Sequence, residues 1–326
     1  MLIGNLDIDR PLCLAPMDDI TDSPFRALCK EHGADVLYTE FASCEALVRN
    51  IGKMLRKIEL RDAERPIAIQ LYGSAEESME RAAAMAEDAG ADFVDVNCGC
   101  WVKKIATRGD GAGLLRDLSK FKAVVRAVMK GTRLPVTVKT RLGWDCEHIV
   151  ILDVARMLED LGVQSLTVHC RTRQQGYTGC ADWSWLARIR EVSRIPLIAN
   201  GDIVSPEDAE TCLKLGADGI MIGRGAIGNP WIFRQVRHYL STGEKLPEPA
   251  FEDRVRLCIR HLNEHVTRQG APRGVFSFRR NYVHYLKSVH NIANLRRELM
   301  TLDAVDPIVE RLLRFVEEVK EREMAG

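Results

Sequence analysis

Short apolar, β-branched runs recur through the first 225 residues, and a stretch of helical periodicity follows each of them. The runs are residues 11–17 (PLCLAPM), 35–40 (DVLYTE), 66–73, 93–99, 135–143, 165–171, 196–203 and 219–225. Strands that are apolar almost without interruption, alternating with helices, predict a parallel sheet covered on its outer face. Eight such units in about 225 residues fit an α/β TIM (β/α)8 barrel better than an open doubly wound sheet.

The helical stretches carry the expected punctuation. Ser74 with Glu77 predicts a capped start for the helix that stops at Gly90, and Ser205-Pro206-Glu207 repeats the device before the helix that stops at Gly216. One interval breaks the rhythm: between Gly99 and Pro135 a long loop, CWVKKIATRGDGAG, precedes a helix over about 117–131. Long loops inside compact domains usually carry function, and this one leaves the carboxyl end of a strand, where TIM-barrel active sites form. Beyond Trp231 the strand periodicity ends. Helices are predicted at 251–269, 275–290 and 304–323, with LPEPA (246–250) as a linker. The expected organisation is a barrel over 1–238 and a small all-α domain over 239–326.

Composition changes this picture little. Charged residues make up 28% and apolar residues 46% of the 326, as in ordinary soluble proteins. Met1 to Arg10 lacks the basic and apolar segments of a secretion signal, and no stretch approaches the roughly 18 apolar residues of a membrane span. The ten cysteines lie mostly in apolar runs, as with Cys13, Cys29, Cys170 and Cys212, which predicts reduced thiols in a cytoplasmic protein. Cys98 and Cys100 are the only close pair, and no second pair at metal-binding spacing accompanies them, so no metal is expected. A monomer is the default expectation.

Net charge is zero, so a nucleic-acid partner has to be argued locally. Residues 254–297 hold ten cations, Arg279 and Arg280 among them, against one acid, Glu264, while the tail after 297 is net acidic. That density is what phosphate contacts need, and the scarcity of acids argues against a face of i,i+4 ion pairs. Tyr282 and Tyr285 could stack on bases or pack in a core.

The strand ends hold polar groups that packing does not demand: Gln70, Asn97, Lys139 with Arg141, His169 with Arg171, Asn200-Gly201-Asp202 and Gly223-Arg224-Gly225. In a barrel all of them converge on one mouth. The run Gly223 to Gly228 has the form G-x-G-x-x-G, but a dinucleotide fold needs an acid after a second strand about 20 residues on, and KLPEPAFED is linker. A phosphate cup after strands 7 and 8, with Arg224 adding charge, accounts for it better. A buried cation at Lys139 suits the electron-rich edge of a reduced flavin, and the Gln70 amide offers the donor and acceptor that a flavin's pyrimidine edge requires. Together these features point to FMN. Cys100, on the long loop with Lys103, Lys104 and Arg108, is expected to have a lowered pKa.

At these residues the sequence resembles the tRNA-dihydrouridine synthase family, the bacterial B type in particular, from about Ile3 to at least Gln235. The phrases that carry the likeness are LAPMDDITDSPFR, DVNCGC followed by VKK, VKTRLGW, VHCRTR, IANGDI and IGRGAIGNPWIF. The resemblance implies an FMN-holding barrel, a C-terminal helical domain and NADPH (or NADH) as reductant. By matching position it implies that Pro16, Met17 and Asp18 line the flavin ring and that Gln70 and Lys139 bind its polar edge. His169, Asn200, Gly201, Asp202, Gly223 and Arg224 would hold the ribityl chain and phosphate. Asn97 and Arg141 would face the uracil. Hydride would pass from FMN N5 to uracil C6, and Cys100 would protonate C5. The chain departs from the family's pattern at Trp101, where proline is usual, at Cys98 and at Asp110. The RNA is expected to be tRNA, with ribosomal RNA as the alternative substrate. A flavin oxidoreductase of free pyrimidines and a non-enzymatic RNA-binding protein are the competing classes.

Overall fold

A computed structural model describes residues 1–325. The chain divides into two compact units, Met1–Gly225 and Ala226–Gly326. In the first, eight parallel strands form a ring: β1 Leu12–Leu14, β2 Leu37–Tyr38, β3 Ile67–Tyr72, β4 Phe93–Cys98, β5 Val136–Arg141, β6 Ser165–His169, β7 Leu197–Asn200 and β8 Gly219–Ile222. Each pairs with its sequence neighbour from β2 to β8, β8 returns to β1, and a parallel bridge between Cys13 and Val36 joins β1 to β2. This is the TIM barrel that the strand pattern predicts.

The two faces of each strand explain how one sequence builds both core and site. Side chains alternate across a strand, so residues two apart share a face. The outward set is apolar, as in Ile67, Ile69 and Leu71 of β3 or Val94 and Val96 of β4, and is fully buried. The inward set changes character along the strand. Near the amino end it is apolar: Cys13, Val36, Tyr38, Ala68, Phe93, Ile198 and Met221 form one cluster with Ile3 from an N-terminal hairpin, Leu2–Ile3 with Leu6–Asp7. Two residues further on it turns polar, at Gln70, Asp95, Asn97, Lys139, His169 and Asn200. An apolar floor thus supports a polar mouth.

Local signals set several of the helices. Asp117 caps Leu118–Gly131 by accepting from Lys120 N (3.0 Å), and Ser205 with Asp208 forms a capping box on Pro206–Lys214. The helix Glu76–Asp88 is capped at Ala75 without a side-chain bond, not at Ser74; two acids, Glu76 and Glu77, serve its first turn instead. The long loop after β4 is not structureless. It contains a short helix, Lys103–Ala106, and a 3-10 turn, Gly111–Arg116.

The second unit contains the helices Ile232–Thr242, Phe251–Gln269 and Val305–Ala325 together with shorter ones. The single helix expected over 275–290 is instead Arg273–Phe278, a 3-10 turn Arg279–Asn281 and Tyr282–Tyr285, and Ile292–Leu299 follows as a separate helix. The break is invisible in the pattern because a 3-10 turn keeps residues three apart on one side. Val275, Phe278, Tyr282 and Tyr285 all reach the core through it. No helix among the described residues is long and apolar enough to cross a membrane.

Candidate active site

The mouth is organised by a relay of hydrogen bonds that begins in the barrel interior. Asp95, fully buried on β4, accepts from Thr137 Oγ1 (2.6 Å) and from Gln70 Nε2 (2.6 Å). An ionised carboxylate only accepts, so the amide of Gln70 must turn its oxygen the other way. Gln70 Oε1 accordingly accepts from Asn97 Nδ2 at 2.9 Å. That in turn leaves Asn97 Oδ1 to accept the backbone amides of Gly99 (3.1 Å) and Cys100 (2.9 Å). A core carboxylate therefore fixes the turn that carries Cys100. Burial lifts Asp95 to about 6, against the lowering effect of Gln70, Thr137 and Lys139. Asp95 and Thr137 were not among the sequence candidates, although an acid inside the apolar run FVDVNC was the available signal.

Cys100 sits half-buried on this turn. Its carbonyl accepts from Ala112 N (3.1 Å), and Gly111, at φ +55°, packs so closely that a Cβ there would lie 3.0 Å from Cys100 Cβ. The expectation of a lowered thiol pKa is overturned. Burial raises it, and the groups that pull it back, after the Val102 backbone, are Arg141 and Lys139; Asp18 adds to the rise. Lys103, Lys104 and Arg108 lie on the same loop but are not among the main influences on it. The thiol is therefore held protonated at neutral pH. Cys98, two residues earlier, is fully buried.

Cations crowd the rest of the mouth. Lys139, paired in register with Asn97, donates from Nζ to Asn200 Oδ1 at 3.0 Å, and Asn200 Nδ2 donates to the Met221 carbonyl at 2.8 Å. Burial and the neighbouring Arg141 lower Lys139 to about 8. Arg141 is itself lowered to about 10, first by burial. It donates to the carbonyls of Gly99 (3.0 Å), Thr172 (2.8 Å) and Gly176 (2.9 Å), tying the loop after β4 to the loop after β6. Burial holds His169 well below its ordinary range, and Arg141, Lys139, Arg171 and Arg224 all push the same way. Its Nδ1 is buried with no hydrogen-bond partner.

Asp202 is the counterweight. Arg171 binds it at 2.5 and 2.8 Å and Arg224 at 2.9 Å. Burial opposes its ionisation, but the Arg171 bond and the Ala181 amide carry its pKa below the ordinary value. It follows Gly201 in a turn where both residues have positive φ, +110° and +56°. At Gly201 the angle and the crowding coincide: a Cβ there would meet Ala181 at 3.1 Å and the His169 ring at 3.4 Å.

The first loop completes the mouth. Pro16 follows β1, and Met17 Sδ lies 3.6 Å from where a Gly223 Cβ would stand, which brings the first and last strand ends together. Asp18 forms an ion pair with Lys57, whose side chain also lies 3.4 Å from Glu40. Arg279 and Arg280 belong to the second unit. Arg279 donates to the Leu302 carbonyl (3.1 Å) and stacks on Phe276, whereas Arg280 is exposed and donates to Ser277 O (3.0 Å). The basic stretch is less bare than its count: Arg256 pairs with Glu252, just outside the window, and Arg260 with Glu264, both at i,i+4 spacing. Tyr282 and Tyr285 are buried, Tyr282 edge-on to Phe278 and Tyr285 bonded to His261, so they are core residues and not stacking platforms.

A family model described as dihydrouridine synthase (Dus) matches residues 13–320. The chain belongs to the dihydrouridine synthase family. Among its relatives in that family, a probable tRNA-dihydrouridine synthase 1 from Synechocystis is 38% identical over 305 residues, 93% of this chain and 85% of that one. A tRNA-dihydrouridine synthase B from Pseudomonas putida is 42% identical over 262 residues, covering 80% and 77%. Among solved structures, an old yellow enzyme homologue from Zymomonas mobilis superimposes with a TM-score of 0.50 at 16% identity, over 78% of this chain and 94% of that one. At that identity the likeness is one of fold.

Proposed function

We propose that this dihydrouridine synthase reduces uridine to 5,6-dihydrouridine in tRNA, with FMN in the barrel mouth and NADPH or NADH as reductant. The observation that carries the reading is that the Cys100 turn, held by Asn97, stands in register beside Lys139 and Arg141, two cations whose charged forms burial disfavours. Groups in that state gain from an anionic ligand.

The residues fit FMN. The unpartnered Nδ1 of His169, the enclosed Lys139 ammonium and the half-exposed Arg224 guanidinium form a cradle for an anion with polar edges. Lys139 would hold the flavin's pyrimidine edge, Pro16, Met17 and Asp18 its ring, and His169, Asn200, Gly201, Asp202, Gly223 and Arg224 the ribityl chain and phosphate. Gln70, with both ends taken by Asp95 and Asn97, would position Asn97 rather than touch the flavin. When bound, FMN supplies the hydride for uracil C6.

The remaining work falls to the protein. A uracil cannot be reduced within an RNA stack, so the base has to be extruded into the mouth. Asn97 and Arg141 are proposed to face it. Cys100 holds a proton at neutral pH because burial disfavours the thiolate, and it gives that proton to C5. Arg141 and Lys139 then stabilise the sulfur anion left behind. Arg280 and its exposed neighbours in the second unit are proposed to bind RNA phosphates.

The test uses the purified protein with NADPH and unmodified tRNA transcript. Dihydrouridine should form, and Cys100→Ala should keep the yellow flavin but lose most of the product. Undiminished turnover by the variant defeats the proton-donor role, and a protein that takes up no FMN defeats the cofactor.

A further inference from the structure

The rim beside Cys100 carries two exposed aromatic rings that neither core packing nor the proposed flavin cradle uses. Trp101, the residue after Cys100, is 38% exposed, and Tyr177, on the loop after β6, is 50% exposed. They meet edge to face with centroids 5.3 Å apart. Val102, 43% exposed, extends the apolar surface.

Both rings are mounted rigidly. Trp101 lies against the backbone of Gly176, where a Cβ would come within 3.0 Å of the indole and where φ is +56°. The loop that presents Tyr177 is pinned from beneath by two buried guanidinium groups. Arg141 donates to the carbonyls of Thr172 and Gly176, and Arg171 to those of Thr178 (3.1 Å) and Gly179 (2.5 Å). One cation lies over the tyrosine. The Arg224 guanidinium stands 4.5 Å from the Tyr177 ring centroid. On the adjoining loops Trp144 is flanked by Arg173 at 4.5 Å and Arg116 at 4.9 Å. The loops are stitched together, since Arg173 N and Gln174 N donate to the carbonyls of Gly143 and Trp144 (both 2.9 Å).

We infer that Trp101 and Tyr177 form a stacking platform for the nucleobase next to the extruded uridine, with Arg173 and Arg116 on the adjoining loops available to its phosphates. The inference rests on the RNA reading above and adds a subsite to it. Pre-ordered exposed aromatic rings set among guanidinium groups match a flat base on a polyanion better than an apolar protein surface, which would leave those charges unmatched. The position also answers a need of the reaction. Extruding a base breaks its stacking on both neighbours, and a ring adjoining Cys100 restores one of those contacts.

The experiment measures steady-state kinetics of FMN-loaded Trp101→Ala, Tyr177→Ala and Trp101→Phe on unmodified tRNA, together with direct binding of each to that tRNA. Each alanine variant should weaken tRNA, in KM and in binding, by roughly five- to a hundred-fold, and Trp101→Phe should recover most of the loss. The KM for NADPH should move by less than about twofold. Addition of tRNA should quench wild-type tryptophan fluorescence, and Trp101→Phe should lose part of that quench. Unchanged tRNA affinity in both alanine variants overturns the platform. So does a rise in the KM for NADPH with tRNA unaffected, which would assign the rings to the reductant. A wild-type protein that makes no dihydrouridine defeats the functional reading instead, and the binding measurements still decide whether the platform contacts RNA.

Discussion

Replacing Lys139 by methionine should stabilise the ligand-free protein while spoiling its cofactor site. The ammonium lies in the mouth with one side-chain hydrogen bond, to Asn200, and with Arg141 close by, and burial and that like charge lower it from 10.5 to about 8. A difference of about 2.5 pKa units corresponds to roughly 3 kcal/mol of destabilisation at neutral pH. Methionine keeps the apolar stem and discards the charge. It also leaves Asn200 Oδ1 without its donor, at a cost of about 1–2 kcal/mol. The balance is a gain of about 1–2 kcal/mol, or about 3–6 °C in Tm for a unit of this size.

The pH dependence separates this cause from a general effect on packing. Folded Lys139 loses its proton near pH 8 and the unfolded chain near 10.5, so between those values the unfolded state holds more protons. Wild-type stability therefore rises with pH across that window. The penalty is complete below pH 8 and relieved towards 10.5, so the advantage of Lys139→Met should shrink between these limits. Chemical denaturation of both proteins without FMN, at several pH values, measures it. Saturating FMN should reverse the order, because only wild type offers a cation to the ligand. A variant less stable than wild type at neutral pH, or a gap independent of pH, refutes the reasoning.

Asn97→Ala removes the acceptor for the Gly99 and Cys100 amides. It should cost about 1–3 kcal/mol of stability and reduce kcat more than the KM for tRNA, read by denaturation and steady-state kinetics. Arg280→Glu should weaken tRNA binding across sequences and lower the slope of log affinity against log salt by about one, measured by salt titration. Arg279 is not the residue for that test, since its bond to the Leu302 carbonyl makes it part of the fold.

The barrel was legible because strands buried on both faces read as continuous apolar runs, and all eight stand where those runs lie. The polar strand ends were legible for a related reason: Lys139, His169 and Asn200 interrupt runs that packing alone would have filled with apolar residues. What such a reading could not supply was direction. The cations next to Cys100 in sequence, Lys103 and Lys104, are not the ones that influence it most. Those come from β5, which pairs with β4 and sets Lys139 in register with Asn97. The sequence shows that Gln70 carries a donor and an acceptor, but not that Asp95 and Asn97 engage both, a hold that orders the Cys100 turn. The basic count in the second unit omits Glu252, one helical turn from Arg256, because that acid lies just outside its window.

Mapping dihydrouridine across total RNA from cells with the protein, without it, and with Cys100→Ala in its place tests the central claim most directly. The account predicts that defined tRNA uridines lose the modification in the second and third strains alike. An unchanged map in the strain lacking the protein, or full modification in the Cys100→Ala strain, contradicts it.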